Sequence, residues 1–277
     1  MTLEQLHQPV EKEFLLFREE YSRCTHSHIP LLHDVEEYLA LIPGKQLRPL
    51  LLLLSAKACG QLSHKHILMA TAMELLHNAT LMHDDVVDES DTRRGHQSVR
   101  HRWGNQVAVL CGDYYLSQVM TLLQQVGESE VSGLVARTVA IMSQGELQQL
   151  DALTRNAVAL DEYISIIGSK TASLMALCCE LGAMLQTAFA DNDYRKPLHN
   201  FGYHYGLVFQ IRDDIHDTSN STPDKKHDIC IPDGIKPNSL IEKHSQMARQ
   251  SLNLLPPSSA RDTLDKLLHP SAPSPVN

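Results

Sequence analysis

The chain has 277 residues, 43% hydrophobic and 21% charged, long enough for one or two domains and a sizeable core. Its 24 basic and 33 acidic side chains leave a formal charge of −9, which excludes a nucleic-acid binder, since a phosphate backbone demands a basic face. Composition also excludes a disordered chain, and six cysteines without CxxC or framework spacing point to a reducing, cytoplasmic setting.

From the N-terminus, Glu4, Glu11 and Glu13 stand where a signal sequence would carry an apolar core. Ile42-Pro43-Gly44 breaks the chain, and Gly44-Lys45-Gln46-Leu47-Arg48-Pro49 opens the next helix. The apolar run 50–54 lies between Arg48 and Lys57, far short of the ~20 residues that cross a bilayer, so no transmembrane segment is expected. Leu68, Ala72, Leu75, Ala79, Met82 and Val86 step by four and three, the buried stripe of a long helix. The same period predicts helices over 106–126, 131–150, 163–188 and 198–216. Residues 217–238, rich in Ser, Pro, Asp and Lys, read as a long functional loop. Short helices over 239–254 and 259–268 and a Pro/Ser tail complete the chain. No stretch alternates long enough to demand a sheet. The pattern predicts a single all-α domain spanning 1–277.

Chemistry concentrates in two acidic clusters. Asp84, Asp85, Asp88, Glu89 and Asp91 end the most apolar helix, with Asp84 and Asp88 one turn apart on one face. Two such carboxylates ~6 Å apart repel by roughly 3 kcal/mol at an effective dielectric of ~20. Alone, the cluster could be a solvated helix end. Asp213, Asp214 and Asp217 repeat the D-D-x-x-D spacing on another apolar helix. Carboxylates facing each other across a cavity need cations, and Mg²⁺ shared with substrate phosphates is the natural fit. His77 lies seven residues before Asp84, and with Met73 and Thr80 shares its column.

Cations for a diphosphate are also present. Arg93 and Arg94 follow the first cluster, and Lys45 and Arg48 open the earlier helix. Lys170-Thr171 sits in an apolar segment, and Gln210 lies one turn before the second cluster. No nucleotide-binding glycine loop, zinc-protease motif or hydrolase elbow occurs.

These residues resemble the trans-isoprenyl (polyprenyl) diphosphate synthases. The resemblance spans about 44–217: Gly44-Lys45 with Arg48-Pro49, Glu74 to His77, His83 to Ser90, Arg93-Arg94-Gly95, Gly112-Asp113, Gln144-Gly145-Glu146 with Gln149, Lys170-Thr171, and Phe209 to Asp217. It implies an all-α isoprenoid synthase helical bundle around a central cavity, usually a homodimer. By the same resemblance Asp84, Asp85, Asp88, Asp213, Asp214 and Asp217 are metal ligands for two or three Mg²⁺. Lys45, Arg48, His77 and Arg94 match isopentenyl diphosphate contacts. Arg93, Lys170, Thr171 and Gln210 match allylic diphosphate contacts, joined by one of Lys225, Lys226 and Lys236. Asp84, Asp88, Lys170, Thr171, Gln210 and Asp213 carry catalysis.

The implied reaction ionises an allylic diphosphate and adds isopentenyl diphosphate to the cation, extending the chain by five carbons. Two features depart from the family pattern. Gln46 stands where Arg is frequent, and after Asp217 the usual motifs give way to Pro223-Asp224-Lys225-Lys226-His227-Asp228, followed by an abbreviated C-terminal part. Competing readings are a short-chain synthase, a terpene cyclase and a non-catalytic subunit; the isopentenyl diphosphate set argues against a cyclase and two intact aspartate motifs against a structural subunit. Ala79 and Thr80, five and four residues before Asp84, are the family's chain-length positions. Their small side chains predict a long all-trans polyprenyl product, of the kind that serves as a quinone side-chain precursor.

Overall fold

The structure is a computed structural model that describes residues 3–42, 44–155, 158–186, 193–220 and 229–269, with side chains described for all of these except Leu3 and 217–220. Helices α1 (Leu3–His7), α2 (Glu11–Thr25), α3 (Pro30–Ala40), α4 (Leu47–Cys59) and α5 (His64–Val87) form the first half. After a two-stranded hairpin, β1 (Thr92–Arg93) and β2 (His96–Gln97), come α6 (Val99–Trp103), α7 (Asn105–Val126) and α8 (Ser129–Leu153). Then follow α9 (Leu160–Ile167), a π-helical turn (Gly168–Ala172), α10 (Ser173–Met184), α11 (Arg195–Asn220), α12 (Pro237–Leu252) and α13 (Ser259–Leu267).

Helix α5 is the central strut. His66 folds back on its start, its Nδ1 accepting from the Ser63 backbone N–H at 2.9 Å, a capping-box arrangement. Leu68, Ala72, Leu75, Ala79 and Met82 are all buried along one stripe, and α5 packs against α2, α4, α7 and α10. Helix α10 continues the core to α4 and α11. A second, smaller core gathers Tyr163, Ile166, Ile167, Leu207, Ile211 and Ile229 where α9 and the π-turn lean on α11. The stretch Leu160–Met184 is long and apolar enough to cross a bilayer, yet 67% of its 18-residue window is buried in the protein.

Three local features differ from the sequence expectations. The helix expected over 163–188 is broken by the π-turn and ends at Met184. Helix α11 runs on to Asn220, past the loop start expected at 217, and residues 221–228 lie outside the described residues. The hairpin, absent from the periodicity, is built by Arg94 (φ 53°) and Gly95 (φ 74°), both left-handed, which is the backbone of a two-residue type I′ turn.

Helices α11 and α12 meet through a histidine pair. The His204 and His244 rings stack with centroids 5.2 Å apart, and their Nδ1 atoms lie 3.2 Å apart, so one ring donates to the other. Burial, followed by His204 and Lys243, pushes His244 down to about 4. The unfolded chain takes up that proton near the ordinary value of 6.5, while the folded chain resists it until about pH 4. Stability is therefore complete above pH 6.5 and falls as pH drops through this window, by on the order of 3 kcal/mol from this group. Urea midpoints measured from pH 7 to 4 should fall for the native chain and fall much less for His244→Phe. An identical slope in the variant would contradict the assignment.

Candidate active site

The loop before α4 and the hairpin after α5 build a cationic corner. Arg94 projects from its left-handed turn position and donates to the Ile42 carbonyl at 3.2 Å. Gly44 leaves that seat open, since a Cβ there would overlap the Arg94 guanidinium and displace it. Gln46 is also left-handed (φ 50°), so Lys45 lies in the lead-in to α4, one turn before Arg48 enters the helix proper. Burial pushes both Arg48 and Arg94 down, opposed by the buried Glu74 carboxylate that they flank. Glu74 is the largest opposing charge on both guanidinium groups. The Arg48 Nε is buried with no hydrogen-bond partner among the described residues. Burial, reinforced by Arg48, Arg94 and Arg93, holds His77 well below its ordinary value, so its imidazole is neutral. Behind this corner, Asn78 Nδ2 donates to the Tyr21 hydroxyl at 2.9 Å.

The anionic half starts at the C-terminal end of α5. Burial, then the neighbouring Glu146 carboxylate, pushes Asp84 up to about 7, with Lys170 and Arg93 opposing and Asp88 adding to the rise. Glu146 on α8 accepts from Lys170 Nζ at 2.9 Å. Lys170 belongs to the π-turn, and π-turns recur at functional sites because they re-aim side chains within a helix. Its neighbour Thr171 donates to Gln210 Oε1 at 2.8 Å, and Gln210 Nε2 donates to Asp214 Oδ1 at 2.8 Å. Asp214 Oδ2 accepts from the Tyr163 hydroxyl at 2.5 Å. Asp213 faces Lys45, whose own value burial lowers against the pull of that carboxylate.

Most sequence candidates gather here. Asp85 is 3% exposed, and its Oδ1 accepts from Arg93 Nε at 2.9 Å and Nη2 at 2.5 Å. Asp85 and Arg93 are thus paired with each other in this structure. Asp214 is likewise engaged by Tyr163 and Gln210. Lys236 is exposed immediately before α12. The Asp217 side chain, Lys225 and Lys226 lie outside the described residues. Ala79 is fully buried, and Thr80, partly exposed, donates to the His77 carbonyl at 2.8 Å. Sequence reading quoted Glu146 and Glu74 without giving them roles, and missed Tyr163; its place two helical turns before Lys170 was the available signal.

Among the described residues no three His, Cys, Asp or Glu side chains form a complete metal-binding group by themselves. The donors present nevertheless suit a shared Mg²⁺. Asp84 and Asp88 share a helix column, and burial, then the like charge of Glu146, pushes Asp84 up to about 7. Hard carboxylate oxygens with positions left for water and phosphate are the Mg²⁺ pattern.

The polyprenyl synthetase family model matches residues 29–231. The chain is 36% identical over 210 residues to the all-trans-nonaprenyl-diphosphate synthase (geranyl-diphosphate specific) of Rhodobacter capsulatus, covering 76% of this chain and 64% of that one. It is 30% identical to a prenyl transferase of Cyanophora paradoxa, over 92% of this chain and 94% of the relative. Among solved structures, a decaprenyl diphosphate synthase from Rhodobacter capsulatus superposes with a TM-score of 0.86 at 28% identity, covering 96% of this chain and 97% of that one. Family motifs, all-helical fold and site geometry agree: the chain belongs to the polyprenyl synthetase family.

Proposed function

We propose that this chain is a trans-polyprenyl diphosphate synthase, joining isopentenyl diphosphate head-to-tail to an allylic diphosphate and yielding a long all-trans product. One observation carries the reading. A single interior holds two sites of opposite character: a buried cationic corner with an unpartnered Arg48 Nε, and a carboxylate cluster beside Lys170 and Thr171. Lys45, Arg48 and Arg94 bind the diphosphate of isopentenyl diphosphate, and neutral His77 adds a hydrogen bond without a further charge. Lys170, Thr171 and Gln210 orient the allylic diphosphate. Asp84, Asp88 and Asp213 would hold Mg²⁺, which when bound neutralises the leaving diphosphate as the allylic C–O bond breaks. The apolar faces of α5 and α10 exclude water, which would quench the allylic cation.

A homodimer fits the same reading. Helices α7 and α8 expose Leu110, Met120, Ile141 and Leu147, more apolar surface than their own packing uses.

Farnesyl diphosphate, labelled isopentenyl diphosphate and Mg²⁺ should yield a labelled product whose length chromatography reads. Activity should vanish in EDTA, and Asp84→Ala or Asp213→Ala should lower turnover at least ~100-fold with unchanged circular dichroism. Full turnover in EDTA would overturn the metal reading.

Gly44→Ala forces Arg94 out of its seat. The KM for isopentenyl diphosphate should rise about tenfold, the loss of one charge-assisted contact, while the allylic KM stays within about twofold. Equal rises for both substrates would contradict the two-site division.

The growing chain is placed along α5 past Ala79, a small buried side chain, with Thr80 beside it. Ala79→Phe or Ala79→Tyr should stop growth after three or four isoprene units while preserving the first condensation. An unchanged product length would show that another side chain closes the cavity.

A further inference from the structure

We infer that Tyr163 is a positioning residue for the allylic diphosphate site, acting through Asp214 and Gln210. The inference deepens the proposed function and rests on it for the identity of the substrate. Three hydrogen bonds run in series from the second core into the site: Tyr163 hydroxyl to Asp214 Oδ2 at 2.5 Å, Gln210 Nε2 to Asp214 Oδ1 at 2.8 Å, and Thr171 hydroxyl to Gln210 Oε1 at 2.8 Å. Each oxygen of Asp214 thus accepts from a neutral donor of the chain itself. Asp213, the adjacent residue on α11, is turned about 100° around the helix, and its charge acts on Lys45.

The direction of donation matters. The Gln210 amide has one acceptor and one donor end, and Asp214, acceptor-only when ionised, fixes which end faces Thr171. Gln210 Oε1 then accepts from the Thr171 hydroxyl, which fixes both side chains and leaves Gln210 one further amide N–H for the diphosphate. Tyr163 supplies the other anchor: its ring is fully buried in the second core and its hydroxyl donates to Asp214.

The π-turn makes this possible. In an unbroken α-helix Thr171 would lie about 80° around the axis from Tyr163. A wider i→i+5 turn advances less per residue, and the Gly168–Ala172 segment returns roughly that angle. Both hydroxyls therefore meet the one face of α11 that carries Gln210 and Asp214, four residues apart.

The test is calorimetric binding of an unreactive allylic thiolodiphosphate with Mg²⁺, alongside steady-state kinetics and thermal melts, for the full chain. Tyr163→Phe keeps the buried ring. It should weaken thiolodiphosphate binding about tenfold, as expected for loss of a hydrogen bond to a charged group, and leave the isopentenyl diphosphate KM within about twofold. In a Gln210→Leu background the same change should add less than about threefold, because the series is already cut. A purely structural role predicts equal weakening for both substrates in step with a lowered melting temperature, and that result would overturn the inference. So would an additive double mutant, or unchanged thiolodiphosphate affinity in Tyr163→Phe. A native chain that binds the thiolodiphosphate but never joins isopentenyl diphosphate to an allylic partner would defeat the functional reading alone, and the calorimetric comparison would still decide the role of Tyr163.

Discussion

The constraint on which the rest of this structure depends is the burial of charge in two neighbouring clusters. Arg48 and Arg94 both feel the buried Glu74, while Asp84 feels Glu146, Lys170, Arg93 and Asp88. Taking charges out of water costs several kcal/mol per ion unless each finds a partner, so either cluster alone would oppose folding. The long apolar faces of α5 and α10 carry that burden. One corner is rich in cations and the other in carboxylates. Under the proposed function a diphosphate would complement the first and a divalent cation the second, and both would stabilise the fold.

Backbone irregularity is concentrated around the same interior. Three non-glycine residues adopt left-handed conformations among the described residues: Gln46, Glu89 and Arg94. Gln46 sets the entry to α4 beside Lys45, Glu89 follows the first aspartate cluster, and Arg94 turns the hairpin. Such conformations cost of order 1–3 kcal/mol each and persist where packing over-determines them. Here they aim cations that a regular helix could not bring to one place. The π-turn is the corresponding device on the opposite side, carrying Lys170 and Thr171.

The aspartate clusters show why spacing and role are separate matters. Both D-D-x-x-D motifs were legible, yet each pair of adjacent aspartates splits. Asp84 faces the charged interior while Asp85 is buried against Arg93; Asp213 faces Lys45 while Asp214 braces Tyr163 and Gln210. Neighbouring residues on a helix point about 100° apart, so a motif of identical side chains cannot serve one function throughout. Which member faces which environment depends on what packs around the helix.

The sequence by itself determined the all-α class, the stripe Leu68 to Met82 and most helix spans, and it singled out Lys45, Arg48, His77, Asp84, Asp88, Lys170, Gln210 and Asp213 as candidates. These follow from local periodicity and from residue types whose burial demands partners, and both are written in short segments of chain. Only the tertiary structure decided the Asp85–Arg93 pairing, the Lys170–Glu146 bridge, the hairpin that carries Arg94 and the series from Tyr163 to Thr171. Each joins residues through a bend or across a helix interface, where the choice of partner depends on distance and desolvation in the packed interior.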